Sequence, residues 1–159
     1  MITVDLKPLA GAEQSASVPF EVRTEHPKLA DLPELHGLEA SGGVSKLDEG
    51  YLVAGTLEAL LPLECARCLK RSDHRVSEKF SEQFRPEPDD DQFPARKGRI
   101  DLDPMLRTVI LTRLPERPLH DPGCKGLCPV CGKDRNRDPH DHPGPEPAAG
   151  PFDQLKKLR

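Results

Sequence analysis

The chain has 159 residues, a length that favours one domain, with 35% hydrophobic and 31% charged residues, no Trp, one Tyr and five Phe. So lean and aliphatic a core, beside 18 Pro and 12 Gly, leaves much of the chain as loop and makes a metal staple useful. A formal net charge of -4 excludes a protein whose main business is coating nucleic acid electrostatically, while leaving room for a local basic face.

No stretch approaches the length of a bilayer span, and MITVDLKPLAGAEQ carries no basic segment followed by an apolar one. The expected location is therefore the cytoplasm, with no membrane partner. Ile2, Val4 and Leu6 alternate with polar residues and predict a short strand, as do Val18, Phe20 and Val22. His26 to Leu38 shows no clean period and reads as a loop or a short helical turn. Asp48-Glu49-Gly50 supplies turn chemistry for a hairpin between Val44 and Ala59. Its second strand runs from Tyr51 nearly to Leu63 and delivers the chain into Cys65-Ala66-Arg67-Cys68. In Arg75 to Phe84, Val76, Phe80 and Phe84 fit either a helix or a strand; the strand is preferred because it pairs antiparallel with its predecessor. Pro86 to Lys97 reads as an acidic loop, its Asp89-Asp90-Asp91 solvated rather than cation-binding, since hard-cation loops alternate their ligands around a glycine.

Asp103 as N-cap and Pro104 as first helical residue open the best helix, with Met105, Leu106, Val109, Ile110 and Leu114 as one apolar stripe and Pro115 as its end. The predicted fold is α+β. An antiparallel sheet of short strands is covered by this one main helix and followed by a C-terminal segment of zinc-knuckle type. Residues 1–137 make the expected domain, 138–150 a flexible linker, and 151–159 an amphipathic tail with Phe152, Leu155 and Leu158 on one face.

Five cysteines in a reducing compartment read better as metal ligands than as disulfides. Two residues between paired cysteines let both sulfurs reach one ion from a single tight turn. Cys65 and Cys68 with Cys128 and Cys131 would complete a four-thiolate structural zinc site, closed to substrate and to activated water, so the protein is expected to be non-enzymatic and to have no small-molecule substrate. The interval from Cys68 to Cys128 far exceeds the roughly 15–20 residues of a compact ribbon, so the ion would tie distant parts of one fold together. Cys124 is left over as an alternate ligand, a fifth nearby thiolate or a reactive thiol. His140 and His142 read as a polar loop, with metal ligation as the other reading. His26, His36, His74 and His120 are scattered and carry no pairing signal. A redox role for either pair lacks the βαβ pattern it needs.

Cys65-Ala-Arg-Cys68-Leu69, then Asp101-Leu-Asp103 leading into an apolar helix, then Cys124-Lys-Gly-Leu-Cys-Pro-Val-Cys-Gly132, and finally Pro151-Phe152 ahead of Leu155 resemble, in this order, the YceD-like family. These bacterial proteins are associated with accumulation of large-subunit ribosomal RNA, and the resemblance runs from about Gly50 to the end. It implies a role in synthesis, processing or stability of 23S ribosomal RNA. The expected partners are ribosomal RNA or ribosome-assembly proteins. Arg67, Lys70, Arg71 and Arg75 near the first turn, with Lys125, Lys133, Arg135 and Arg137 near the second, would form one basic face if zinc joins the turns. The competing reading is a solvated face that offsets thiolate charge. A protein-binding adaptor, docking through Glu87 to Asp91 and the C-terminal apolar face, is the alternative function. A metal-dependent hydrolase would need an open coordination position.

Overall fold

The computed structural model describes residues 1–14 and 16–142. Seven strands form one sheet in the order β1-β7-β6-β5-β4-β3-β2. They are β1 (Thr3–Asp5), β2 (Ser17–Thr24), β3 (Gly37–Leu47), β4 (Gly50–Glu64), β5 (Arg71–Arg85), β6 (Phe93–Arg96) and β7 (Arg99–Asp101). All neighbours pair antiparallel except β5 and β6, where Phe84 lies opposite Phe93 in parallel register. One helix, α1 (Asp103–Arg113), follows β7.

This corrects the expected α+β layout. The protein is mostly β, with 43% of the described residues in strands and 10% helical, and its sheet is curled into a nearly closed, barrel-like form. Strand length is the reason. β4 and β5 are 15 residues each and pair from Tyr51–Phe84 to Glu64–Arg71. Ribbons that long twist and coil until the sheet encloses most of its own apolar face, so α1 adds to a core that the curled sheet already wraps rather than covering a flat sheet.

Period-two patterning sets what is inside. On β4, Val53, Leu57, Ala59 and Leu61 are buried; on β5, Val76, Phe80 and Phe84 are buried with charged residues between them. The strand reading of Arg75 to Phe84 therefore holds, the spacing of four being every second inward position. The β3–β4 hairpin turns over Asp48 and Glu49, with Gly50 at φ +120° as the turn chemistry requires. Opposite each other in that ribbon, Gly42 and Gly55 bring the two backbones so close that a Cβ at either would strike the neighbouring strand's main chain.

Three further expectations change. β3 begins at Gly37, inside and beyond the stretch read as loop. β6 emerges from the segment read as an acidic loop and returns through Lys97 and Gly98, both at positive φ, into β7, a turn whose twist suits a two-residue hairpin. Asp103 is the first helical residue rather than the N-cap: its Oδ1 accepts the Ile2 amide at 2.9 Å, while Asp101 Oδ1 accepts the Asp103 amide at 3.0 Å. The carboxylate thus pins the N-terminus across β1 and β7. The apolar stripe of α1 is as read, with Met105, Leu106, Val109 and Ile110 buried and Leu114 against the core.

Candidate metal centres

The link between β4 and β5 is a tight knuckle, residues 65–70. The Cys65 amide donates to the Lys70 carbonyl at 2.9 Å, and the Leu69 amide donates back to the Cys65 carbonyl at 2.9 Å. Leu69 sits at φ +61° to close the turn. The same turn recurs 63 positions later: the Cys128 amide donates to Lys133 at 2.8 Å, the Gly132 amide to Cys128 at 2.9 Å, and Gly132 takes φ +72°. Two copies of one knuckle are present, each offering a Cys-x-x-Cys pair.

Their partners differ from the expected grouping. Cys65, Cys68, His120 and Cys124 bring one ligand atom each within 4.8 Å of one another, and Cys128, Cys131, His140 and His142 form a second such set. The four-thiolate combination of Cys65, Cys68, Cys128 and Cys131 is not a grouping the described residues make. The physical reason lies between α1 and the second knuckle. The Ala66 amide donates to the Pro118 carbonyl at 2.7 Å, and Arg67 Nη1 donates to the Cys124 carbonyl at 2.7 Å. Asp121 folds the intervening loop by accepting the Gly123 amide at 2.7 Å and, through its carbonyl, the Cys124 amide at 3.0 Å. His120 and Cys124 therefore reach the first knuckle before the chain arrives at the second, which closes instead on residues downstream of it. The signal in the sequence is His120-x-x-x-Cys124, a short ligand spacing that marks His120 off from the scattered histidines.

The inner set has the dimensions of a tetrahedral site. The Cys65 and Cys124 sulfurs lie 3.8 Å apart, and Cys68 Sγ lies 3.3 Å from His120 Nδ1. Metal–sulfur bonds of about 2.3 Å around a tetrahedral ion would separate sulfurs by about 3.8 Å. Cys65 and Cys124 are buried, Cys68 and His120 half-buried. The His120 side-chain hydrogen bond, with main-chain amides, holds the Cys65 thiol down at about 5 against the effect of burial. Cys68 moves the other way: the Lys70 amide lowers it, but burial and its neighbours Cys124 and Cys65 outweigh that and hold the thiol above its ordinary value. Crowded sulfurs that resist ionising together are what a divalent cation relieves.

In the outer set Cys128 is buried, His140 half-buried, and Cys131 and His142 exposed. Cys131 Sγ lies 3.2 Å from His140 Nε2. The Cys131 amide, then the Val130 amide and the His140 ring, hold the Cys128 thiol down at about 6 despite burial. Hydrogen bonding to Cys128, then to the Asp138 carbonyl, raises His140 above the usual imidazole value. Both sets consist of thiolate and imidazole donors, which suits zinc-class ions and not magnesium or calcium.

Asn136, which no spacing argument singles out, reaches back to the inner set from the segment between Cys131 and His140. Its Nδ2 donates to Cys124 Sγ at 3.5 Å and its Oδ1 accepts the Lys125 amide at 2.7 Å. Leu127 donates its amide to the Arg67 carbonyl at 3.0 Å, and Gly126, at φ +75°, passes so near Arg67 that a Cβ there would lie 3.0 Å from the Arg67 carbonyl oxygen.

The predicted basic residues flank these turns, yet most are engaged. Arg71 pairs with Glu64, Lys133 with Asp138, Arg135 with Asp141 and Arg137 with Asp134, while Arg67 is spent on the Cys124 carbonyl. Lys70 and Lys125 are exposed and make no ion pair among the described residues. Of the expected linker, 138–142 closes the outer set; the rest of it, and the tail with Phe152, Leu155 and Leu158, lies outside the described residues. No helix among the described residues is long and apolar enough to cross a membrane.

A family model described as large ribosomal RNA subunit accumulation protein YceD matches residues 53–159, a span holding both knuckles and α1. Among curated proteins, Uncharacterized protein Rv2926c of Mycobacterium tuberculosis and Uncharacterized protein Mb2951c of Mycobacterium bovis are each 37% identical over 97 residues. Each alignment takes in 56% of this chain and 47% of the relative, so the chain spans about half the length of the curated relatives it matches. No solved structure matches it.

Proposed function

The chain belongs to the YceD family, and from that premise we propose that it is a non-enzymatic ribosome-biogenesis factor, acting in accumulation of large-subunit ribosomal RNA, with zinc as a structural staple at Cys65, Cys68, His120 and Cys124. The observation that carries the reading is the family match across residues 53–159, the span that builds both knuckles. The donor set supports a structural role: three sulfurs and one imidazole fill a tetrahedral shell and leave no position for water or substrate. Such an ion would fasten the β4–β5 turn to the chain leaving α1 and so fix the surface on which Lys70 and Lys125 stand.

Direct contact with ribosomal RNA is the leading mechanism. Phosphate contacts would be few, because neighbouring carboxylates occupy most of the local cations, although exposed pairs of that kind exchange partners at low cost. The test is in-cell crosslinking read by sequencing and by mass spectrometry, with a Lys70→Glu/Lys125→Glu variant alongside. Crosslinks to 23S ribosomal RNA that fall in the variant are expected. Crosslinks confined to proteins and indifferent to the variant would refute RNA contact. They would favour the adaptor reading, which has its own support in the exposed Leu69 (62%) and Val130 (59%) at the knuckle tips.

A further inference from the structure

We infer that Cys128, Cys131, His140 and His142 are a second metal site, separate from the inner one, and that the protein carries two zinc-class ions per chain. The inference stands on geometry alone and does not depend on the ribosomal reading. Four donor atoms of the right chemistry converge within 4.8 Å, drawn from a knuckle and from a segment whose first ligand, His140, lies nine residues beyond Cys131. The knuckle repeats the hydrogen-bond pattern of the inner one, amide for amide.

Two further observations point to a ligand. His140 is held for ligation: its Nδ1 meets the Asp138 carbonyl at 2.6 Å, which places the proton there and turns Nε2 toward the sulfurs. The His142 ring stands at 79° to it with centroids 5.0 Å apart, so two imidazoles approach one point from different directions. The segment also lacks any apolar reason to be ordered. Between Gly126 and His142 its only large aliphatic side chains, Leu127 and Val130, are both exposed. A turn without a core is held by hydrogen bonds and by whatever its ligands bind.

The two ions would differ in character. Three thiolates and an imidazole leave the inner site with one net negative charge inside a buried shell. Two thiolates and two imidazoles leave the outer site neutral and reached by solvent through Cys131 and His142. The outer ion is therefore the first to exchange and the first to go to a chelator. Its loss loosens residues 137–142 while Asn136 stays bonded to Cys124 and the barrel-like sheet stays folded, because residues 137–142 contribute nothing to the apolar core.

The full chain loaded with cadmium-113 decides the matter by NMR, together with elemental analysis of the zinc form. Two resonances are expected, one at the position of a three-sulfur site and one at that of a two-sulfur, two-nitrogen site, with two ions per chain. A His140→Ala/His142→Ala variant loses the second resonance and keeps the first. A competing chelator applied to the wild type removes the two ions in separate phases. One ion per chain in the wild type, or a single four-sulfur resonance, overturns the inference, and so does a double variant that keeps both signals. Because the wild-type spectrum decides alone, misfolding of the variant does not obscure the answer.

Discussion

Replacing Cys124 by Ser tests the grouping of the cysteines where the two arrangements disagree most. If Cys65, Cys68, His120 and Cys124 hold one ion, that ion closes a loop whose ends, Cys65 and Cys124, are 59 residues apart. Cross-linking a loop of that size removes about 4 kcal/mol of denatured-state entropy on the chain-closure relation. A domain of this length is stable by about 5–15 kcal/mol in all, and each kcal/mol moves its melting point by about 2–4 °C. Cys124→Ser should thus lower Tm by about 8–16 °C and remove most of its dependence on zinc, leaving only the small part owed to the outer set. The outer ring is much smaller, with Cys131 and His140 only nine residues apart. The same relation gives it about 2.5 kcal/mol. Most of that is spent on local opening rather than on global unfolding, so Cys131→Ser should cost under about 5 °C. Thermal and denaturant unfolding of full-length protein, with and without zinc, measures both, and the zinc-free comparison removes the packing cost of the serine itself. A single site built from Cys65, Cys68, Cys128 and Cys131 would instead make Cys131→Ser as damaging as Cys68→Ser and leave zinc-dependent stability intact in Cys124→Ser, and that outcome refutes the two-set grouping.

Asn136→Ala removes the amide that donates to Cys124 Sγ and the acceptor for the Lys125 amide, and should weaken inner-site metal affinity about 10–100-fold; competition titration with a chromophoric chelator measures it, and an unchanged affinity refutes the link. Gly55→Ala drives a Cβ into the Ser41 carbonyl and to 2.9 Å from Gly42 Cα, and should cost about 1–3 kcal/mol in denaturant midpoint; a neutral result means the β3–β4 ribbon is not as close as described. Leu69→Gly relieves a left-handed backbone worth about 1–2 kcal/mol and adds about 0.5–1 kcal/mol of unfolded-chain entropy, so stability should rise by at most about 1.5 kcal/mol. A loss of stability there would mean that the leucine, though 62% exposed, carries packing that its exposure conceals.

What the sequence made legible was local. Alternation exposed the strands at Val18–Val22 and Tyr51–Leu63, the Asp48-Glu49-Gly50 turn marked its hairpin, and the 3.6-residue stripe from Met105 to Leu114 marked α1, because each of these signals lies within a few residues of itself. Gly37 to Gly43 is hard to read because Leu38 is its only large apolar residue, so its alternation is weak, and β6 because Phe93 and Ala95 are ordered by partners elsewhere, Phe84 stacking on Phe93 at 5.3 Å. Fold class failed for a similar reason: whether a sheet needs a covering helix depends on how far its longest strands run and coil, which no single window reports. The metal residues show the same boundary most sharply. Both Cys-x-x-Cys turns could be read from their spacing, since each is a self-contained knuckle. Which ligands complete each turn could not, because five sulfurs and several imidazoles admit more than one grouping and only the path of residues 115–124 chooses among them. That path is set by weakly patterned contacts, Ala66 to Pro118 and Arg67 to Cys124, in a stretch with few apolar residues. Cys124 and His120 are therefore the pair that the fold brings to its first knuckle, and the residues that gather at the second, His140 and His142, come from downstream of it.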